Sequence, residues 1–319
     1  MKISRLLAGP AAGLTTLALL TACGTDTTTT ADDAAAGTLQ LVTAIYPYQW
    51  LAEQVGGEAV DAQLLMDAGG DAHGLELTPR ETVAVEEADL VVYQRSLTAS
   101  VDAAVDAGTS GAVLETGALL GETPAEGDDH ATGEDDHAAD EDDHEGGDPH
   151  VWLDPTNMVT IAEAMRDELV RIDPDNGGTY EANTEAVVAE LAGLDQEFST
   201  GLAQCDVSVF VPSHAAFGHL AERYGLEQVA VRGLDASVEP SAARIAEVQD
   251  IAAREGVTTI FYETAVSPAV SEAIAGDAGL RTDVLDPVSA PATDDARGID
   301  YPSRMRSNLE ALRTANGCR

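Results

Sequence analysis

Two stretches of this chain, residues 38–120 and 205–319, alternate short apolar runs with helical runs, and this alternation limits the folds that the chain can adopt. Strand-like runs that alternate with helices indicate parallel sheets covered by helices. We therefore predict an α/β fold with two lobes, each a small parallel sheet flanked by helices. The strand-like runs are residues 39–45, 60–66, 90–93 and 112–114 in the first stretch and 207–211, 226–231, 258–262 and 282–285 in the second.

The segment between these stretches, residues 154–204, has a helical pattern. Asp154-Pro155 and Asp173-Pro174 each resemble an N-cap followed by proline at the first helical position. Apolar residues then recur at helical spacing from Tyr180 to Leu202. One long rigid helix that joins the lobes fits this pattern, and two ordinary packing helices of a single domain are the alternative. The predicted parts are the N-terminal lobe, 38–172, the linking helix, 173–204, and the C-terminal lobe, 205–319.

The N-terminus has the pattern of an export signal. Lys2 and Arg5 precede an apolar stretch that is interrupted by Gly and Pro and is short for a membrane span. That stretch ends in the letters LTAC, which resemble the lipobox of bacterial lipoproteins. We predict a lipoprotein signal peptide over 1–22, lipidation of Cys23 and a flexible tether over 23–37. The mature protein would then be lipid-anchored at the extracytoplasmic face of the cell membrane. An ordinary secretory signal with a chance cysteine is the alternative.

The charge balance limits the partners of the chain. It has 57 acidic against 16 basic residues, a formal net charge of -41. Such a charge argues against nucleic acid and anionic membrane surfaces as partners, and it suits cations. An acidic surface that only maintains solubility is the alternative.

Two cysteines follow the signal segment and Cys23, at positions 205 and 318. An even pair in an exported protein suggests a disulfide bond. We predict a bond between Cys205 and Cys318, with free buried thiols as the alternative.

Residues 121–147 form an acidic, low-complexity segment in which Asp-Asp-His recurs. Its three repeated histidines are His130, His137 and His144. We predict a disordered loop that collects metal weakly, because imidazole and carboxylate groups are ligands of zinc and similar ions. A solvated acidic insertion with incidental histidines is the alternative.

Five polar residues outside that loop stand where a metal site can form. His73, His214, Glu263 and Asp286 each follow a strand-like run, and His150 precedes the helix that leaves the first lobe. In parallel α/β sheets ligands bind at the carboxyl ends of the strands. Three imidazoles and one carboxylate can hold a divalent metal in a tetrahedral site. Hydrogen-bonded loop histidines and helix-capping carboxylates are the alternative.

The chain resembles the zinc and manganese solute-binding proteins of bacterial ABC importers, the cluster A-I (or cluster 9) family. The resemblance implies that His73, His150, His214 and Asp286 bind the metal, with Glu263 as an alternative or supporting donor. A histidine at the third position, His214, implies zinc. The segments that carry the resemblance include IYPYQWLAEQVGG at 45–57, DAHGLELTP at 71–79, DPHVWLDPTN at 148–157, VPSHAAFGHLAERYGL at 211–226, VLDP at 284–287 and YPSRMRSNLEAL at 301–312.

This family implies a function in zinc uptake. The protein would bind Zn²⁺ between its lobes as a transported ligand and deliver it to an ABC permease and its ATPase, as a monomer and without enzymatic activity. The alternatives are a manganese-binding protein of the same type and an adhesin or metal buffer. A zinc hydrolase is disfavoured because the sequence has no HExxH and four ligands leave no vacant position.

Overall fold

The computed structural model describes residues 37–122, 147–263, 268–292 and 299–319. The predicted signal peptide and Cys23 lie outside these residues, as do His130, His137 and His144 of the acidic loop. The predictions for them therefore stay predictions.

The first stretch forms a four-stranded parallel sheet in the order β2-β1-β3-β4. Leu41 of β1 pairs with Ala62 of β2 on one side and with Leu90 of β3 on the other. All four residues of β3 are buried, as expected of a central strand covered on both faces. The strands are β1 (Leu39–Thr43), β2 (Val60–Leu64), β3 (Leu90–Tyr93) and β4 (Ala112–Glu115).

Helices connect these strands, as the alternation predicts. The one that follows the β2 loop begins with a capping box, in which the Thr78 and Glu81 side chains each bond the other's backbone N–H. This cap fixes where the loop after β2 ends. The helices of this half are α1 (Tyr46–Gly56), α2 (Pro79–Glu87), α3 (Ala99–Ala107) and α4 (Thr116–Leu120).

Two longer helices, α5 (Pro155–Ile172) and α6 (Gly177–Gly201), follow the first half. The Asp154 side chain accepts a hydrogen bond from the Thr156 N–H at 2.7 Å and caps α5, as its Asp-Pro pair predicts. α6 has 25 residues and is about 37 Å long. Its apolar face packs against α1, α5 and α10, the last helix of the chain. The long helix is thus confirmed, and it is a packed core helix along its length.

The second half repeats the plan of the first with shorter strands. β5 pairs with β6 and β7 with β8, all parallel, and a parallel bridge between Val211 and Ile260 joins the two ladders. The resulting order, β6-β5-β7-β8, matches that of the first sheet. The elements are β5 (Val209–Phe210), α7 (Gly218–Tyr224), β6 (Glu227–Gln228), α8 (Ala242–Glu255), β7 (Thr259–Tyr262), α9 (Ala269–Ala278), β8 (Arg281–Val284) and α10 (Tyr301–Asn316).

The strands β5 and β6 are shorter than the apolar runs that predict them. Pro212 has no N–H to donate, so the regular ladder ends beside it. Pairing continues only through single bonds, such as the one from the Val231 N–H to the Pro212 carbonyl at 3.0 Å. The chain beyond Pro212 is therefore free to turn toward the site.

The described residues between Gly37 and Arg319 group as one compact unit. One apolar cluster extends from β1 and α1 through α5 and α6 to Phe217 and Tyr301. A smaller cluster, which includes Val209, Val248 and Ile260, fills the second half. The predicted boundaries between two lobes and a linking helix are not tested by this grouping.

Two further sequence predictions concern covalent and membrane features. Cys205 and Cys318 form a disulfide bond, which confirms the predicted pairing. Within the described ranges, every helix is too short or too polar to cross a membrane.

Candidate metal centre

Three histidines from separate parts of the chain meet at one point. His73 lies on the loop between β2 and α2, His150 directly precedes a 3-10 turn before α5, and His214 follows β5. One ring nitrogen of each lies within 4.8 Å of the other two. The Nε2 atom of His150 is 3.2 Å from Nε2 of His73 and 3.4 Å from Nε2 of His214.

These separations suit a single metal ion. Zinc binds imidazole nitrogens at about 2.0–2.1 Å, so two nitrogens on a tetrahedral zinc lie about 3.3 Å apart. The two measured Nε2 separations lie close to this value. One ion could therefore bond all three nitrogens with little movement, and a fourth position would remain for another donor.

A carboxylate fixes the ring of His150. Asp148 Oδ1 lies 2.7 Å from His150 Nδ1 and also accepts the His150 backbone N–H at 3.0 Å. A carboxylate can only accept, so the proton of a neutral His150 lies on Nδ1. Its Nε2 lone pair is then available to a metal, which is the usual arrangement of a ligating histidine with a carboxylate behind it.

Glu263 fixes the ring of His214 in the same way, through Nδ1. Its Oε1 atom is 2.5 Å from His214 Nδ1, and it also accepts a hydrogen bond from the Ser213 hydroxyl. The rings of His150 and His214 and the Glu263 side chain are nearly inaccessible to solvent. Glu263 therefore orients a ligand from behind, as the sequence analysis allowed, and stands outside the group of converging nitrogens.

The surroundings favour the neutral forms of His73 and His150. Burial, followed by the charges that His150 and His214 would carry, lowers the pKa of His73 to about 4. Burial also lowers the pKa of His150, although Asp148 opposes the shift. Burial alone would raise the pKa of Glu263, but hydrogen bonds from His214 and Ser213 outweigh it, so its pKa lies below the usual range. At neutral pH His73 and His150 are thus unprotonated, and Glu263 is charged.

Helix α7 holds Asp148 in place from its first turn. His219 Nε2 lies 2.8 Å from the Asp148 carbonyl oxygen and donates to it. A Cβ atom at Gly218 would come within 2.5 Å of Asp148 Oδ2. A larger residue at 218 would therefore have to displace the carboxylate that orients His150.

Trp152 ties the His150 segment to the end of the second sheet. Its ring is fully buried beside His150, and its Nε1–H donates to the Pro287 carbonyl at 2.7 Å. The Tyr301 hydroxyl donates to the Trp152 carbonyl at 2.6 Å. These bonds hold the segment that carries His150 against the second half of the chain.

Asp286 does not join the three histidines. Arg304 donates to both of its carboxylate oxygens, at 2.8 and 3.0 Å, and the Val288 N–H donates to Oδ1 at 2.8 Å. β8 is the edge strand and is separated from β5 by β7, so its carboxyl end lies away from His214. Among the described residues, the converging group therefore lacks the carboxylate that the sequence prediction took from Asp286.

Sequence reasoning missed two residues that support the site. Asp148 lies two residues before His150 in the letters DPH, and that short spacing is the signal from which it could have been found. His219 lies on helix α7, five residues after His214. Its bond to the Asp148 carbonyl depends on the packing of α7 and had no local signal.

Residues 41–315 match the family described as "Zinc-uptake complex component A periplasmic". The chain belongs to this family. The zinc-type resemblance predicted from the sequence motifs is thereby confirmed.

The chain is similar to zinc-binding proteins of Streptococcus and Bacillus. The chain is 34% identical over 285 residues to the zinc-binding lipoprotein AdcA of Streptococcus pneumoniae serotype 4, covering 87% of this chain but only 56% of AdcA. It is 33% identical over 297 residues to the high-affinity zinc uptake system protein ZnuA of Bacillus subtilis, covering 92% of this chain and 93% of that protein. The crystal structure of the Zn(II)-bound ZnuA-like domain of S. pneumoniae AdcA matches with a TM-score of 0.71 and 32% identity, covering 88% of this chain and 99% of the domain.

Proposed function

We propose that this protein captures Zn²⁺ outside the cytoplasm and delivers it to an ABC permease for high-affinity zinc uptake. The observation that carries the proposal is the convergence of three Nε2 atoms from His73, His150 and His214 at tetrahedral zinc spacing. Zinc is the transported ligand of this site. The partners would be the permease and its ATPase, and the protein would act as a monomer anchored through lipidated Cys23.

The donor set supports zinc over manganese. All three converging atoms are imidazole nitrogens, and carboxylates on Nδ1 orient two of the rings, those of His150 and His214. Imidazole suits zinc and its borderline neighbours, whereas manganese prefers oxygen ligands.

The geometry also favours binding over catalysis. A hydrolase needs a general base beside a zinc-bound water. Glu263 is the carboxylate nearest to such a role, but it accepts bonds from His214 and Ser213 behind the ring and so serves to orient the ligand. A site that only binds fits a carrier whose cargo is the metal.

Titration of the purified full-length protein with zinc in the presence of a competing chelator tests the proposal. We expect one tight equivalent, and His214→Ala should abolish it. The weak equivalents predicted for the acidic loop should survive in His214→Ala and disappear when residues 126–147 are deleted. Tight zinc binding that is unaffected by His73→Ala, His150→Ala and His214→Ala would exclude this site.

A growth test distinguishes transport from an adhesin or a metal buffer. Deletion of the gene should impair growth only in zinc-depleted medium, and added zinc should restore it. Wild-type protein should complement the deletion, and His214→Ala should not. Normal growth of the deletion strain in zinc-depleted medium would favour the adhesin or buffer.

A further inference from the structure

The loop that carries His73 has no helix or strand of its own. It runs from Leu65 to Thr78, between β2 and α2, and contains glycines at positions 69, 70 and 74. Glycines widen the range of backbone conformations that a loop can adopt. A metal ligand on such a loop keeps a fixed position only if other parts of the chain hold its backbone.

Two hydroxyl groups near the start of α3 bond this loop on both sides of His73. The Thr98 hydroxyl donates to the Ala72 carbonyl, directly before His73, at 2.7 Å. The Ser100 hydroxyl donates to the Leu75 carbonyl, two residues after His73, at 2.6 Å. The start of α3 therefore fastens the loop on either side of the histidine.

The bond from Thr98 fixes the peptide group that leads into His73. A peptide group is planar, so the Ala72 carbonyl, the His73 N–H and the His73 Cα atom lie in one plane. Thr98 holds the carbonyl end of this plane, and Asp71 Oδ1 accepts the N–H at the other end at 3.1 Å. With both polar ends bonded, the direction in which the chain enters His73 is set.

This bond is also buried. Thr98 and Ala72 are both nearly inaccessible to solvent. Across the part of the chain that the structure describes, the Thr98 hydroxyl is the only donor to the Ala72 carbonyl. A buried carbonyl that loses its donor is costly because water cannot replace it. Movement of the loop away from α3 is therefore opposed at the residue next to His73.

Thr98 does not use its hydroxyl for its own helix. It is the N-cap residue of α3, a position from which a threonine oxygen commonly accepts an N–H of the first turn. Within the described residues, its side chain makes no such capping bond. The hydroxyl therefore serves the loop of His73 and not the helix that it begins.

We propose that Thr98 is a positioning residue for metal binding, with Ser100 as its support. Its hydroxyl holds the backbone of His73 where the ring can share one ion with His150 and His214. This inference rests on the zinc binding proposed above and explains how the third ligand is kept within reach. Because Thr98 and Ser100 act through His73, they should lose their effect on zinc affinity once that ring is absent.

Thr98→Val tests the inference, because valine keeps the shape of threonine and fits the extended backbone at 98 but cannot donate. Competition with a zinc chelator should show about 10-fold weaker binding, the lower end of the range for residues that support a metal ligand. Thr98→Ser retains the hydroxyl and should bind zinc like the wild type. Ser100→Ala should cause a smaller loss, because its bond is only partly buried.

Thr184→Val is the matched control. Thr184 is a buried threonine whose hydroxyl also donates to a backbone carbonyl, that of Tyr180, at 2.8 Å within α6. It should lower the thermal midpoint of the metal-free protein and leave zinc affinity unchanged. Zinc binding by the double variant of Thr98→Val with His73→Ala should equal that of His73→Ala alone, because the hydroxyl acts only through that ring.

Three results would overturn the inference. They are wild-type affinity in both Thr98→Val and Ser100→Ala, an equal loss in Thr98→Val and Thr184→Val, and an undiminished loss when Thr98→Val is added to His73→Ala. If Thr98→Val does not fold, Ser100→Ala decides, since its loss must disappear in the His73→Ala background. Failure of the wild type to bind zinc, or full binding by His214→Ala, would instead refute the proposed function.

Discussion

His150 and His214 are held differently from His73. The first two are both 2% exposed, and each has a carboxylate on Nδ1. His73 is only partly buried, and within the described residues its ring bonds only to His150. Its loop is anchored through the bond from its backbone N–H to Asp71.

This difference separates a preformed part of the site from an adjustable one. Two Nε2 atoms are aimed before the metal arrives, so little side-chain entropy is lost there on binding. His73 must be ordered by the metal itself. We therefore expect zinc to enter and leave on the side of His73, and we expect the two kinds of ligand to respond differently to substitution.

Removal of His150 or His214, the two preoriented ligands, should cause the largest loss of zinc affinity. His150→Ala or His214→Ala should each reduce zinc affinity by more than about 100-fold, beyond the range for supporting residues, because each loses a metal bond from a ring that is oriented in advance. His73→Ala should cost less, because the ring it removes has no carboxylate behind it. Chelator competition at neutral pH measures all three. A greater loss in His73→Ala than in the other two would reverse the comparison.

Substitution of the carboxylates that orient His150 and His214 should cause the second-largest loss of zinc affinity. Asp148→Asn and Glu263→Gln keep the shape but lose the charge that makes Nε2 a stronger donor, and we expect about 10–100-fold weaker zinc binding. The control is Asp250→Asn, which removes an exposed charge from α8. If both supporting variants bound zinc like the control, preorientation would have no energetic role.

A smaller loss of zinc affinity should follow when Asp148 keeps its charge but is displaced by a steric clash. In Gly218→Ala the new methyl group meets Asp148 Oδ2 at 2.5 Å and must displace it. We expect a loss of zinc affinity below the about 10-fold lower limit for removing a supporting carboxylate. Gly276→Ala on α9 is the matched control, because its methyl group meets nothing within 4 Å. Equal affinities in these two helical variants would show that Asp148 tolerates displacement.

The smallest effect on zinc should come from Asp286→Asn. Asp286 pairs with Arg304, which also donates to the Ala290 carbonyl at 2.6 Å and lies over the ring of Tyr46. We expect a fall of about 1–3 kcal/mol in the free energy of unfolding and no change in zinc affinity. Denaturant unfolding and chelator competition separate these outcomes. A loss of affinity without a loss of stability would return Asp286 to the ligand set.

Local sequence signals predicted the parts of the site that depend on one segment. The Asp154-Pro155 helix start, the long helix α6 and the strand-end positions of His73 and His214 were all confirmed as structural features. The partner of Asp286 could not be predicted in this way. Arg304 lies 18 residues away on α10, and only the packing of that helix against β8 brings them together.

The strand order explains why Glu263 contacts a histidine of the site and Asp286 does not. Glu263 and Asp286 each end a strand-like run of the same half, so they looked equivalent in the sequence. β7 lies beside β5 whereas β8 lies at the edge, and only Glu263 reaches His214. Which strands are neighbours is decided by long-range pairing that no single run encodes.

Anomalous diffraction at the zinc edge, from crystals of the protein with one equivalent of zinc, tests the central claim most directly. The account predicts one strong peak, about 2.0–2.1 Å from the Nε2 atoms of His73, His150 and His214. Bonds through Nδ1, or a principal peak elsewhere in the chain, would contradict it.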